Sequence, residues 1–191
     1  VPEEGSYIKY VIDLVLMELS REAEEQTVNV IVLKDAGSIY VGDKVINLVR
    51  GVEQAIPLWT ARKLAEKGIV KLKEDGIDTS KLSKLVFLEE GERRKLDFQK
   101  VSPYIYNMAK YEIEQLKKEI MRSMDTSRIR ELDKTIDGFS RLFSIRLKKI
   151  LQLIPISPPQ EILAKLSEEE KAIYSILKEV VEAWRQALSI Q

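Results

Sequence analysis

Across residues 126–153 the apolar side chains Ile129, Leu132, Ile136, Phe139, Phe143, Leu147 and Ile150 return at steps of three or four residues, with no proline among them. That period is close to 3.6, so these residues share one side of an α-helix and cannot share one face of a strand, where the period is two. The spacing predicts a helix of roughly 40 Å, at ~1.5 Å per residue. A rod of that length needs helical neighbours. Ile105, Ala109, Ile113, Leu116, Ile120 and Met124 outline one by the same spacing, opened by Ser102 and Pro103, a capping hydroxyl followed by a residue suited to the first turn. The segment PISPP (155–159) stops the long helix, because proline lacks the N–H and clashes with the preceding turn. A last helix begins at Ser167, with Glu170 placed to complete an S-x-x-E capping box, and carries Ile173, Leu177, Val180, Val181, Trp184 and Leu188. Residues 99–191 therefore read as an all-α helical bundle domain.

The beginning of the chain has a different rhythm. Tyr7, Val11, Leu14 and Met17 outline a first amphipathic helix that fades into REAEEQ (21–26). Then the period shortens. TVNVIVL (27–33) is β-branched, DAG (35–37) supplies a turn, and SIYVGDKVINLV (38–49) reads as two strands around a Gly-Asp turn. In IPLWTARKLAEKGIVKL (56–72), Pro57 suits the opening of a short helix and Gly68 its close. Leu58, Ala61, Leu64 and Ala65 share one face of that helix, and IVKL returns as a strand. The expectation is an α+β chain: a small β-rich domain with a leading helix over residues 1–73, a linker over 74–98 built of turn residues and charge around a brief LVF, and the helical domain.

Composition removes several kinds of chemistry. The 191 residues contain neither cysteine nor histidine, so disulfides, thiolate nucleophiles, Ser-His and Cys-His pairs and the commonest metal ligand are all excluded. The lack of cysteine is consistent with an intracellular setting. Lys plus Arg and Asp plus Glu both number 31, which leaves no whole-molecule field to draw the chain onto DNA or an anionic membrane. The longest apolar stretches fall well short of the ~20 residues that span a bilayer, and no signal peptide is visible in a chain that starts at Val1. No glycine-rich phosphate cradle occurs.

The remaining candidates for chemistry are best read as ordinary structure. Asp133 and Asp137 lie four apart near Glu131, but they interleave with Arg130, Lys134 and Arg141 as a solvated, charge-laced helix face. The carboxylates at 168–170 sit at a helix start, where the macrodipole favours them. No catalytic, metal or cofactor residue is expected. Arg141, Arg146, Lys148 and Lys149 are the best candidates for contact with nucleic acid, and an accessory DNA-binding protein using that basic helix face is the alternative reading.

Apolar material is the more telling excess. Tyr104, Met108 and Tyr111 form a stripe beside Ile105, Ala109 and Ile113, and Leu142 and Ile145 widen the Phe139 face. Large apolar faces commonly mark association surfaces. Tyr104, Met108, Tyr111, Phe139, Leu142, Phe143, Leu147 and Trp184 are the expected subunit-interface residues.

A short strand region, IPLW opening a helix that ends before IVKL, a connector with SKL, and FQKVSPYIYNMAKYEI at the entry to the helical half together resemble subunits of the GINS complex of the replicative helicase. The likeness covers roughly residues 28–155 and is greatest to the archaeal two-three class, similar to the second eukaryotic GINS subunit. The helix before Thr27 is longer than in the eukaryotic subunit, and Thr60 stands where that motif prefers an apolar residue. The resemblance implies that Pro57, Leu58, Trp59, Ala61 and Leu64 lock the short helix onto the small domain's sheet, with Trp59 packed beneath it. It further implies a noncatalytic scaffold with no cofactor, assembled with a sister subunit into a heterotetramer that binds the MCM helicase and a RecJ-like protein. Primase or polymerase are further implied partners, DNA contact is weak or indirect, and no membrane is involved. The implied setting is cytoplasmic and chromosome-associated, or nuclear in a eukaryote.

Overall fold

The computed structural model describes residues 4–73, 79–91, 96–123 and 125–189, with side chains from Tyr7 onward. The fold is α+β, a small antiparallel sheet region followed by a helical region. Two compact units divide the chain, Val1–Gly76 and Ile77–Gln191.

In the first unit, helix α1 (Glu4–Glu25) leads into strand β1 (Thr27–Val32). β1 is the centre of a three-stranded antiparallel sheet, flanked by β4 (Glu53–Pro57) and β5 (Val70–Leu72). Between β1 and β4, strands β2 (Gly37–Val41) and β3 (Lys44–Leu48) make a separate hairpin. Gly42 takes a positive φ of 58° at the first of its two turn residues, a conformation that costs glycine little and matches the twist of a tight hairpin. Helix α2 (Leu58–Glu66) follows β4 directly, and Pro57 is both the last strand residue and the N-cap. It ends as the sequence suggested. Gly68 adopts φ 64°, its N–H reaches the Ala65 carbonyl, and the Ile69 N–H reaches that of Leu64, the paired bonds of a Schellman close. Val30, Val32, Leu48, Ile56, Ala61 and Val70 form the core of this unit, with Leu64 and Ala65 packed at its margin.

Trp59 departs from expectation. It is 41% exposed, while Thr60 and Ala61 are the α2 residues that go inward. At 100° per residue, a helix that buries positions 60 and 61 turns position 59 toward its flank, so Trp59 is not the packing residue beneath the sheet. The position where the resemblance prefers an apolar side chain is therefore a core position. The Thr60 hydroxyl finds no partner there; in the first helical turn there is no helical carbonyl four residues back to receive it.

The second unit contains helices α3 (Thr79–Gly91), α4 (Ile105–Ser123), α5 (Thr126–Leu153), a single turn α6 (Gln160–Leu163) and α7 (Glu168–Ala187). α3 occupies the stretch read as a linker and packs on α5, so the helical unit starts well before residue 99. The short LVF run that looked too brief for an element is part of this helix: Leu82 and Val86, one turn apart, are buried. Residues 74–78 and 92–95 of that stretch, and Met124, lie outside the described residues. α4 begins three residues beyond Ser102, whose hydroxyl donates to the Met108 sulfur. α5 ends with Leu153, just ahead of the proline-rich segment. Ser167 and Glu170 form the expected capping box of α7.

One core joins Leu82 and Val86 of α3, Ile105 and Ala109 of α4, and Phe139, Leu142 and Ile145 of α5. A second gathers Phe98, Ile150, Leu153, Ile154, Leu166 and Tyr174. Gly138 lets α3 approach α5: a Cβ there would lie 2.6 Å from a Leu82 methyl and 2.9 Å from its Cγ. Alanine at 138 gains about 1 kcal/mol of helix propensity, but overpacking costs about 1–3 kcal/mol. Gly138→Ala should therefore lower stability in urea melts by about 1 kcal/mol, and far less in a Leu82→Ala background, where the space is vacant. A gain of stability in the wild-type background would show that Leu82 moves aside freely.

Candidate functional site

The most concentrated polar chemistry is buried inside the helical unit. Arg146 on α5 is fully buried and makes four hydrogen bonds and a further ion-pair contact. Nε and Nη2 grip the two Glu170 oxygens at 2.6 Å each, Nη2 also donates to the Lys165 carbonyl at 3.2 Å, and Nη1 donates to the Gln99 carbonyl at 2.9 Å while facing Glu89 Oε1 at 3.4 Å. One turn along, Lys149 spends its three donors on Glu89 Oε1 (3.0 Å), the Glu89 carbonyl (3.1 Å) and the Asp97 carbonyl (2.9 Å). Glu89 is itself fully buried on α3 and accepts from the Gln99 N–H at 2.9 Å through its other oxygen. The Phe98 ring lies against both cations, 5.0 Å from the Arg146 guanidinium carbon and 5.5 Å from Lys149 Nζ, which adds a favourable quadrupole to the charge pairing.

Glu170 is the hub of the far side. Its two oxygens also accept the Tyr106 hydroxyl at 2.8 Å and the Ser167 N–H at 2.9 Å, so one carboxylate serves the α7 cap, the α5 guanidinium and α4 together. Two cations and two carboxylates balance, which is what makes burial tolerable. Burial opposes the Arg146 charge, but the Glu170 bonds and the charges of Glu170 and Glu89 outweigh it and raise its pKa. Burial, reinforced by Glu170, pushes the Tyr106 phenol far above its ordinary range. Burial likewise raises the neighbouring Glu169 carboxyl, whose Oε1 accepts the Asn107 N–H at 3.1 Å. The chemistry of the cluster is to lock α3, the 96–104 segment, α5 and the start of α7 into one register.

Two of the four proposed DNA contacts are thereby corrected. Arg146 and Lys149 belong to this interior, not to a basic surface. Leu142, Arg146, Lys149 and Leu153 follow steps of four, three and four, the buried stripe of α5, and that spacing was the sequence signal that could have found them. Arg141 and Lys148 are on the surface beside a depression of about 340 Å³, where Arg141 pairs with Glu90 at 2.9 Å.

The proposed interface also divides. Tyr104, Phe139 and Leu142 are buried in the chain's own core region, so they cannot form a free face; Met108, Tyr111 and Leu147 are half-buried. Phe143 and Trp184 are exposed, at 50% and 65%. Phe143 meets the Tyr106 ring in a T-shaped arrangement, with centroids 6.0 Å apart at 87°. On the same helices lie two further sets of exposed apolar residues: Ile129 and Ile136, two heptads and one heptad before Phe143 on α5, and Val180 and Leu188, four residues either side of Trp184 on α7. Ile129, Ile136 and Phe143 sit roughly a quarter turn from the buried Phe139–Arg146–Leu153 face of the same helix. The long helix thus has two apolar faces, one spent internally and one open.

Among the described residues no cluster of acidic side chains is arranged to hold a metal ion, and no helix is long and apolar enough to cross a membrane. Compared with protein-family models and with curated proteins, the chain matches none.

Proposed function

We propose that this protein is a noncatalytic structural subunit of a GINS-type complex in DNA replication, scaffolding and activating the MCM helicase together with a RecJ-like partner. The observation that carries the reading is that two helices of the helical unit leave apolar residues open, Ile129, Ile136 and Phe143 on α5 and Val180, Trp184 and Leu188 on α7. Two aromatic residues exposed on rigid helices are typical anchors of a protein interface, where aromatics dominate the binding energy. The motif order around IPLW and SPYIY supplies the identity of the complex, and the α+β order of the chain agrees with the two-three class. In this reading a sister subunit completes a heterotetramer on the chromosome. Scaffolding acts by raising the effective concentration of bound partners and by favouring the motor conformations that bind the assembly best.

The test is assembly. The tagged full chain, purified from its native source, should bring down a sister subunit and MCM, and the complex should have the mass of a heterotetramer. Phe143→Asp and Trp184→Ala should each weaken association by at least about 2 kcal/mol, roughly thirtyfold, with the circular dichroism of the isolated chain unchanged. Recovery of a solitary monomer whose mass is indifferent to either substitution overturns the proposal. Equal loss of assembly and helicity in Phe143→Asp would instead place that ring in the internal core.

A further inference from the structure

Helix α1 presents a second seam, in the other unit and independent of the assembly reading above. Tyr7, Tyr10, Leu14 and Met17 are exposed and follow steps of three, four and three, the a and d spacing by which one helix takes a partner helix along its length. The helix is anchored at its far end. Ala23 is buried, Glu24 pairs with Arg62 of α2, and the Leu58 N–H donates to the Gln26 carbonyl just beyond it. Ile12, Val15 and Leu19, which are more covered, share the Ala23 side, and the seam points almost directly away from them. An apolar ridge carried on a helix and turned outward is already organised for binding.

Charge identifies the occupant. α1 carries six carboxylates against Lys9 and Arg21, and Arg21 lies beside Glu18 and Glu25 at 3.4 and 3.7 Å. Asp13 and Glu18 flank the seam on its two sides. A second copy laid parallel would set Asp13 against Glu18, and one laid antiparallel would set Asp13 against Asp13, so like charges meet in either orientation. An anionic lipid surface is repelled for the same reason. We propose that the outward seam of α1 is a docking site for an amphipathic helix of a partner protein that carries Lys or Arg beside its own apolar seam.

The experiment uses the full chain and a labelled three-heptad synthetic helix with Leu at a and d and Lys at e and g, read by fluorescence anisotropy. The same peptide with Glu at e and g is the control. The Lys peptide should bind at least about tenfold more tightly than the Glu peptide and weaken as salt rises. Leu14→Asp and Met17→Asp should each weaken it about tenfold or more, although both make α1 more negative; Leu14→Ser, which leaves the charge unchanged, should do the same if either Asp variant loses helicity. Indifference to all three variants, or tighter binding by the Asp variants, would reduce the effect to charge alone and overturn the proposal. So would equal binding of the two peptides, a dimer in sedimentation that Leu14→Asp abolishes, or Leu14-dependent binding to phosphatidylglycerol vesicles; the last two would assign the seam to a second copy or to lipid.

Discussion

Arg146→Ala should cost the helical unit about 3–5 kcal/mol, the range for removing one partner of a buried ion pair. The loss is large because the substitution strands several groups at once. Glu170 loses both guanidinium bonds, the Gln99 and Lys165 carbonyls lose donors, and Glu89 keeps Lys149 alone as its cationic partner among the described residues. Arg146→Lys should recover little of this, since an ammonium cannot reproduce the two-pronged grip on Glu170. The measurement is equilibrium unfolding in urea, followed by far-ultraviolet circular dichroism. A cost below about 1 kcal/mol, the scale of exposed pairs, would show that water reaches the cluster. Pairing Arg146→Met with Glu170→Met separates charge from packing: the double variant should be more stable than Arg146→Ala, because it leaves Tyr106 and the α7 cap short of an acceptor but no unpaired carboxylate.

Phe98→Ala should cost about 3–5 kcal/mol, as expected for truncating a fully buried aromatic side chain. Phe98 packs with Ile150, Leu153 and Leu166 in the second core and also covers the two buried cations, so its loss opens a cavity where water can reach them. Trp59→Ala makes the informative contrast. Trp59 is the larger side chain, but it is substantially exposed, and its removal should shift the melting of the first unit by about 1 kcal/mol or less. If Trp59→Ala proved the more damaging, the burial of α2 through Thr60 and Ala61 would be wrong. If Phe98→Ala were silent, the second core would not be a cooperative part of the helical unit.

Elements with a clean local signature were legible from residues alone. The hairpin around Gly42, the closure of α2 at Gly68, the α7 capping box and the stop of α5 before PISPP all depend on contacts within a few residues, so short spacings are enough to specify them. α3 escaped because its buried residues are few, Leu82 and Val86 with Glu89 one turn on, and a glutamate on an inward face reads as solvent-exposed until its cations are known. The same blindness put Arg146 and Lys149 on a surface. Residue type said exposed; position between Leu142 and Leu153 said buried. The position was right, because Glu89 and Glu170 arrive from helices 60 and 24 residues away, and no local pattern records that meeting.

The apolar excess of the helices was visible in composition and spacing, but not its division. Phe139 and Phe143 both belong to the same run along α5, and a sequence cannot tell which edge of a wide apolar face its own neighbours will cover. The sequence by itself determined the five longer helices other than α3, four of the five strands, the sharp stops and turns, and the absence of thiol and imidazole chemistry, because each is a property of one residue or of residues close along the chain. Only the tertiary structure decided that Trp59 faces outward, that two lysine and arginine side chains are interior, and that Phe143, Trp184 and the Tyr7–Met17 seam are left open, because burial is set by what distant segments bring to the same place.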